Sequence, residues 1–401
     1  MRPFFSSGSN GVNMSILFRN GLLHDGINEE AQQCDIRVED GRFAAIGSNL
    51  RATRPGTEVI DLKGKHIYPG LVEAHGHLGL QGYGMRYEGA DINEKNDPIT
   101  PQLRAIDAFN PQDLSIGMAA QAGVTTVGTG PGSGNVVGGT FIAIKTTGRR
   151  VDDMIIKNPV AMKCAFGENP KFGYQEKQLC TRMTIAAKLR ELLYKTQEYD
   201  CKLKAAGEDL SKKPAFDLKL EAMLPVIRKQ IPLKAHAHQA NDICTAIRIA
   251  KEFDLLLTLE HCTEAQLIVP ELVEAGWPLA IGPSLTHAGK VETRQRSFET
   301  PGILAAAGCE VSIITDSPVT PQPYLALLAG LAVKSGMAPF AALQAITINP
   351  AKLLGVEKRV GSIEPGKDAD LLIANGDILA IDSAISQVYI NGQPISMEKT
   401  A

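Results

Sequence analysis

The sequence predicts an α/β protein: a (β/α)8 TIM barrel with a small β-sandwich side domain built from the N- and C-terminal segments. Two observations predict this fold. Between residues 69 and 350, eight short apolar runs that are typical of buried strands alternate with helical stretches. Outside that region, both ends of the chain contain short runs divided by Gly, Asp and Asn turns, which are typical of antiparallel strands.

These patterns divide the chain into parts. Residues 14–68 and 356–401 form the predicted side domain, and residues 69–355 form the predicted barrel. Residues 1–13 contain no sustained apolar run, and we expect a disordered extension there. The helix-rich segment 174–230 is long for a single return between two strands. We interpret it as a helical insertion near the barrel mouth, where it would serve as a lid or an oligomer surface.

The barrel assignment depends on the eight apolar runs and the helices that follow them. In chain order the runs are LVEAHGH, GVTTVGT, FIAIKT, VAMKCAFG, LKAHAHQ, LLLTLEH, PLAIGP and VSIITD. Among the helices, residues 241–253 place four apolar side chains on one face: Ile243, Ala246, Ile247 and Ala250. The run EAQLIVPELVEAG is a second predicted helix.

Composition and charge exclude several classes of function. The 401 residues have a formal net charge of −3, which argues against a nucleic-acid or anionic-membrane partner. No apolar run approaches the roughly 20 residues of a membrane-spanning helix. The seven cysteines include no C-x-x-C pair, which indicates reduced thiols in a cytoplasmic protein. We expect a cytoplasmic homo-oligomer that acts on a small molecule.

His75 and His77 close the first strand run, one residue apart. Residues i and i+2 on a strand point to the same side, so both imidazoles can face the barrel interior. In a TIM barrel, that end of the strands forms the active site. Neutral imidazole suits Zn, Fe, Ni or Mn far better than Ca. The pair therefore predicts a transition-metal site, with hydrogen-bonded core histidines as the alternative.

Further ligand-type side chains end the later strand runs. The fifth run contains His236 and His238 near its end, the sixth ends with His261, and the eighth ends with Asp316. Taken singly, His261 can be a core residue and Asp316 a turn or N-cap residue. Their shared position at one rim favours metal ligation instead. Of the second histidine pair we favour His236 as the ligand, with His238 as a neighbour facing the substrate; the reverse assignment, or both as ligands, stays open.

Lys163 in the fourth run and Glu168 just after it compete for the role of an anionic bridge between metals. Lys163 can bridge if CO2 carboxylates its amine to a carbamate, whereas Glu168 can bridge unmodified. The alternative for Lys163 is a salt-bridged or surface strand residue. His287 follows the seventh run. It is a candidate for stabilising an oxyanion, and the alternative is that it is a surface loop residue.

At this point the chain resembles the amidohydrolase superfamily of metal-dependent hydrolases. The resemblance covers nearly all of the chain from residue 14. Within the superfamily, the chain is most similar to the imidazolonepropionase-related branch, which includes cytosolic Xaa-Pro and Xaa-Arg dipeptidases. Glu73 stands where the superfamily often has Asp, in D-x-H-x-H. The segments that match are YPGLVEAHGH, AGVTTV, the His of LKAHAHQ, the His of TLEHC, the Asp of IITDSP, and the tail ITINPAKLLGVEKRVGSIEPGKDADLLI.

The resemblance implies a ligand set. His75 and His77 would hold one metal, and His236 and His261 a second where there is one. Lys163 or Glu168 would bridge the two. The ions would be one or two divalent transition metals, with Zn²⁺ expected first and Fe, Mn or Ni as alternatives.

The same resemblance implies a reaction. Asp316 would bind metal, accept a proton from water and pass it to the leaving nitrogen, while His261 or His287 would stabilise the oxyanion. The expected function is hydrolysis of a C–N bond in an amide, a cyclic amide or a dipeptide-like substrate. The alternatives are a metal-dependent deaminase, an imidazolonepropionase-type ring hydrolase, a phosphotriester hydrolase, and a catalytically silent barrel that acts as a binding protein.

Overall fold

A computed structural model describes residues 15–176 and 179–398 of the chain. The predicted N-terminal extension, residues 1–13, lies outside these described residues. The strands are β1 (Ser15–Leu23), β2 (Gln32–Glu39), β3 (Arg42–Gly47), β4 (Glu58–Asp61), β5 (His66–Pro69), β6 (Leu71–Gly76), β7 (Val124–Thr129), β8 (Val137–Lys145), β9 (Ile155–Ala165), β10 (Leu233–Ala237), β11 (Leu257–His261), β12 (Leu279–Ile281), β13 (Val311–Ile313), β14 (Leu371–Ala374), β15 (Ile385–Ile390) and β16 (Gln393–Pro394).

Helices lie in most of the connections from β6 to β14. The α-helices are α1 (Ala105–Ala108), α2 (Leu114–Gln121), α3 (Val151–Met154), α4 (Glu168–Tyr174), α5 (Arg182–Ala206), α6 (Leu218–Ile227), α7 (Ala240–Glu252), α8 (Val269–Ala275), α9 (Thr300–Ala306), α10 (Leu325–Lys334), α11 (Pro339–Gln344) and α12 (Ile348–Leu354). Short 3₁₀ helices span Leu210–Lys212, Ala265–Leu267, Val291–Thr293 and Gln322–Tyr324.

The second sheet in chain order is a nearly closed barrel of eight strands, in the order β6 to β13. The two end strands, β6 and β13, are joined through a loop backbone. Val72 N donates to Ile346 O at 2.9 Å, and Ile313 N donates to Ala345 O at 2.8 Å. The carboxyl ends of the parallel strands therefore surround one mouth.

One strand departs from the predicted pattern. β8 pairs antiparallel with both β7 and β9, whereas the other neighbouring pairs are parallel. A parallel connection needs a crossover of about a dozen or more residues, usually a helix. Hairpin-like links join β8 to its two neighbours instead. They are residues 130–136 and residues 146–154, and the second link contains only the short α3. The structure confirms the eight predicted strands. The prediction that a helix follows every strand is wrong around β8.

Both ends of the chain contribute to the first sheet. Its strand order is β16-β15-β14-β5-β1-β2-β3, with β4 paired to β1. The chain ends meet where β14 runs antiparallel to β5, with Leu371 opposite Pro69. The side chains of this sheet form a separate buried apolar cluster, which includes Phe18, Ile36 and Phe43.

Within the helix-rich segment 174–230, helices α5 and α6 pack on the outside of the barrel. α5 begins at the N-cap Thr181, whose side chain accepts a hydrogen bond from Thr184 N. The buried face of α5 includes Ile185, Leu189 and Leu193, which share one core cluster with strands β9 to β12. Among the described residues, none of the helices is both long enough and apolar enough to cross a membrane.

Candidate metal centre

Two histidines at the end of β6 face the barrel interior, as the i, i+2 spacing predicts. His75 is 0% exposed and His77 6%. Each ring is fixed through Nδ1: His75 Nδ1 lies 2.7 Å from Glu260 Oε2, and His77 Nδ1 lies 2.8 Å from Gly130 O. The Nε2 atoms approach one carboxylate oxygen, Asp316 Oδ1, at 3.7 Å and 3.1 Å respectively. His75, His77 and Asp316 thus form a compact three-residue group.

Asp316 follows β13 in a left-handed conformation, with φ 50°. Its Oδ1 is buried and has no hydrogen-bond partner in the described part of the chain, in spite of the short approach of His77. Burial raises the pKa of Asp316, but its electrostatic interactions with His261, His77 and Lys163 outweigh burial and lower this pKa to about 2. The carboxylate is therefore ionised at neutral pH and available to a cation.

Lys163 on β9 lies inside the same cluster. Its side chain is 0% exposed, and its Nζ lies 2.9 Å from His75 Nε2. Burial lowers the pKa of Lys163 to about 8, although the negative charge of Asp316 and Glu260 opposes that shift. Lys163 is thus a buried side chain at the site, and the surface-strand alternative is wrong.

A second three-residue group combines His236 and His238 with Glu292. All three are buried, at 3%, 3% and 1% exposure. His236 lies on β10, His238 follows that strand, and Glu292 lies in the 3₁₀ helix Val291–Thr293. His238 Nδ1 lies 2.7 Å from Thr263 Oγ1, and its Nε2 lies 3.9 Å from Glu292 Oε1. The sequence offered no signal for Glu292.

His261 lies between the two groups. Its ring centroid is 4.8 Å from that of His75 and 4.4 Å from that of His236. Its Nδ1 lies 2.8 Å from Gly282 O, so Nδ1 carries the proton and Nε2 presents a lone pair. This tautomer favours metal ligation over donation to an oxyanion. Burial lowers the pKa of His261 to about 3, which keeps the ring neutral.

The structure does not bring Glu168 or His287 into these groups. Glu168 begins α4, and its backbone N donates to Glu292 Oε2 at 2.9 Å. Lys163, rather than Glu168, is the candidate bridging residue that contacts His75. His287 is exposed on the loop that follows β12, and its backbone O accepts a hydrogen bond from Arg296.

Three buried charged residues lie behind the site, and sequence reasoning gave none of them a role. Glu73 is 0% exposed; its Oε2 accepts hydrogen bonds from Thr315 N, Thr315 Oγ1 and Gln322 Nε2. Glu260 contacts His75, and Lys234 Nζ lies 2.9 Å from Glu260 Oε2. One available signal was the position of Glu73, two residues before His75.

The donor set fits a divalent transition metal. Burial lowers the pKa of His75, His236 and His238 well below the usual value, so these rings stay neutral as ligation requires. A hydrogen-bonded Nδ1 opposite a free Nε2 is the usual arrangement of a metal-binding histidine. His236 Nδ1 is buried and lacks a hydrogen-bond partner among the described residues.

Comparisons with known proteins agree with this geometry. The model of the amidohydrolase family matches residues 66–395. The crystal structure of an amidohydrolase from Thermotoga maritima superposes with a TM-score of 0.91 at 40% identity, covering 95% of this chain and 99% of that one.

Curated relatives are more distant. Amidohydrolase tasK of Hapsidospora irregularis is 28% identical over 89% of this chain, which spans only 39% of that relative's length. Imidazolonepropionase of Symbiobacterium thermophilum is 26% identical over 84% of this chain and 83% of its own length. On the family match and the 40% identical structure, the chain belongs to the amidohydrolase family.

Proposed function

We propose that the protein is a metal-dependent hydrolase of a C–N bond in an amide, a cyclic amide or a dipeptide-like small molecule. One observation carries this proposal: His75, His77 and Asp316 converge at the barrel mouth with Lys163 beside them. A divalent transition metal such as Zn²⁺ bound there would polarise a carbonyl group and make water nucleophilic near neutral pH. Family membership supports the same reaction class.

Asp316 is the proton carrier in this proposal. The lowered pKa of Asp316 keeps the carboxylate ionised at neutral pH. It would accept a proton from the attacking water. It then donates that proton to the leaving nitrogen. His261, whose Nε2 has a free lone pair, acts as a ligand rather than as an oxyanion donor.

Once carboxylated, Lys163 would supply an anionic ligand for the metal. With a pKa of about 8, roughly a tenth of the lysine is a neutral amine at pH 7. The amine nitrogen attacks the carbon of CO2, forms a C–N bond and loses a proton. The product is a carbamate anion. The buried Lys163 ammonium group beside His75 would thereby become an anionic group that can bind a metal ion.

We also propose the finer features of the scaffold and its setting. The barrel would be a TIM barrel with one reversed strand, spanning about residues 69–355, and the side sheet would close as a β-sandwich. The chain would act as a cytoplasmic homo-oligomer, without nucleic-acid or membrane partners, in keeping with its net charge of −3. Light scattering of the purified protein tests the oligomer directly.

The test is a substrate panel assayed with the Zn²⁺-loaded protein. The panel contains Xaa-Pro and Xaa-Arg dipeptides, N-acyl amino acids, hydantoins and imidazolones, with release of amine, acid or ammonia followed in parallel. We expect hydrolysis of at least one member and its loss in His75→Asn and Asp316→Asn. Glu271→Gln, on the exposed surface of α8, serves as the control. Activity that survives both site variants would refute the assignment, and ammonia release from a ring amine would indicate a deaminase instead.

A further inference from the structure

We propose that Arg296 determines substrate specificity: it binds a carboxylate of the substrate while the scissile amide lies at the group formed by His75, His77 and Asp316. The inference rests on the proposed function and narrows its substrate class to amides that carry a carboxylate near the C–N bond. Arg296 lies in the loop between β12 and α9, just after the 3₁₀ helix Val291–Thr293.

The guanidinium group of Arg296 is partly buried and incompletely paired. One of its nitrogens, Nη1, donates to His287 O at 3.1 Å. Among residues 15–176 and 179–398, no carboxylate forms an ion pair with it. A guanidinium group has five N–H donors in a planar fork, so a single carbonyl partner leaves donors available to an anion.

The electrostatic surroundings of this guanidinium group place it at the barrel mouth. Burial lowers the pKa of Arg296, and the negative charges of Asp316 and Glu292 oppose that shift. Burial also lowers the pKa of His238, and Arg296 is among the cations that add to this effect. Arg296 therefore lies within electrostatic range of the proposed proton carrier and of the histidine that follows β10.

The carboxylates near Arg296 already have other partners. Glu292 Oε1 lies 2.6 Å from Lys290 Nζ, and Glu292 Oε2 accepts a hydrogen bond from Glu168 N at 2.9 Å. Lys290 and Glu292 thus balance each other's charge. Asp316 belongs to the candidate metal group. Arg296 is left as a cation at the mouth whose charge is not matched by an ion-pair partner in the described part of the chain.

A carboxylate is the ligand that fits this arrangement. Its two oxygens match the planar donor fork of arginine, and charged hydrogen bonds strengthen where water is partly excluded. A lysine in the same place would offer a point charge without that geometry. N-acyl amino acids and dipeptides carry a carboxylate close to the scissile amide, whereas neutral cyclic amides do not. We therefore expect the protein to prefer the anionic substrates.

Two small ketones test this preference without turnover. Levulinate is N-acetylglycine with a methylene group in place of the amide N–H, so it has no C–N bond to hydrolyse. In isoamyl methyl ketone an isopropyl group replaces the carboxylate, which keeps the shape and removes the charge. Ligand-observed NMR titration measures the binding of each ketone to the Zn²⁺-loaded full chain. We expect levulinate to bind at least about tenfold more tightly, the range of one hydrogen bond to a charged group.

Variants assign the preference to one residue. Arg296→Met should abolish the advantage of levulinate, and Arg296→Lys should keep part of it, because lysine retains the charge but not the donor fork. Arg294→Met, at an exposed position in the same loop, is the matched control. Equal binding of the two ketones by the wild type would overturn the proposal. An advantage that persists in Arg296→Met would also overturn it, because the carboxylate would then bind the metal or Lys290.

Chemical labelling of the wild type tests the same assignment even if the variants fail to fold. Phenylglyoxal modifies accessible arginines, and mass spectrometry of the digested protein quantifies each site. Levulinate should slow the modification of Arg296 and leave that of Arg294 unchanged, while isoamyl methyl ketone should protect neither. Unprotected Arg296 at saturating levulinate would contradict the proposal. Because none of these measurements needs a hydrolysed substrate, a failure to find hydrolysis counts against the proposed function alone.

Discussion

Glu260 Oε2 lies 2.7 Å from His75 Nδ1, and both side chains are fully buried. The carboxylate accepts a hydrogen bond from Nδ1, which fixes the tautomer and leaves the Nε2 lone pair of His75 directed toward Lys163 and Asp316. Lys234 Nζ lies 2.9 Å from the same carboxylate oxygen and balances its charge. Glu260 thus orients a candidate ligand without reaching the proposed ion itself.

Replacing Glu260 should weaken metal binding. Glu260→Gln keeps the shape but exchanges a charged acceptor for a neutral amide, so we expect Zn²⁺ affinity to fall about 10- to 100-fold, as for other partners of metal-binding histidines. Competition with a fluorescent chelator measures the change. Thr258→Val is the matched control, because Thr258 Oγ1 donates to the other oxygen of Glu260 at 2.6 Å. Equal affinity in Glu260→Gln and the control would contradict an orienting role.

The sequence could predict the first ligand group because its residues obey strand alternation. The i, i+2 spacing of His75 and His77 fixes their common side, and a barrel brings Asp316 to the same mouth. Alternation failed for Glu260 and His261, which are consecutive and yet both contact the interior. His261 has φ 71°, and this left-handed turn redirects its ring. A single sequence carries no clear sign of such a turn at a histidine.

Other features depended on tertiary packing. Glu292 reaches the site from a short 3₁₀ helix in a long loop, and nothing in the local pattern sets where such a loop lies. The reversed direction of β8 follows from the lengths of its connections, but an apolar run looks the same in either direction. The eight barrel strands and helix α7, whose residue patterns are local, agree with the prediction, and strands from both terminal segments meet in one sheet.

Glu73 should contribute to stability by joining two strand ends. Its carboxylate accepts hydrogen bonds from His75 N at 3.0 Å and from Thr315 N at 2.9 Å. Glu73→Gln turns part of this acceptor into a donor that faces other donors, so we expect a loss of about 1–3 kcal/mol in unfolding free energy. Urea unfolding of the metal-free protein measures it, and Glu58→Gln on the exposed face of β4 is the control. A variant as stable as the wild type would show that this hydrogen-bond set adds nothing.

The buried histidines should make the metal-free protein sensitive to acid. Burial lowers the pKa of His75, His236, His238 and His261 in the folded chain, so below about pH 6.5 the unfolded chain binds more protons than the folded one. Stability must therefore fall as the pH falls. From about pH 7.5 to about pH 5.5 we expect a loss of about 1 kcal/mol per histidine.

Urea unfolding at several pH values tests this dependence. His261→Asn is the matched variant, because Asn tolerates the left-handed backbone at that position and does not titrate. Its pH slope should be smaller by the contribution of one histidine. An identical slope in the variant would mean that His261 is not buried neutral in the folded protein.

Lys145 should couple the barrel to the side sheet. Its Nζ pairs with Asp370, next to β14, and lies 3.2 Å from Asp368 Oδ2; all three side chains are at most 4% exposed. Lys145→Met leaves two buried carboxylates with less compensation, and breaking such a pair costs about 3–5 kcal/mol. Arg359, 2.7 Å from Asp368 and partly exposed, reduces the loss toward the lower figure.

Urea unfolding of Lys145→Met, Asp370→Asn and the double variant forms a thermodynamic cycle. We expect the double variant to lose less than the sum of the single losses, because Asp370→Asn removes the charge that Lys145→Met leaves unpaired; additive losses would mean that the two residues do not interact across the sheets.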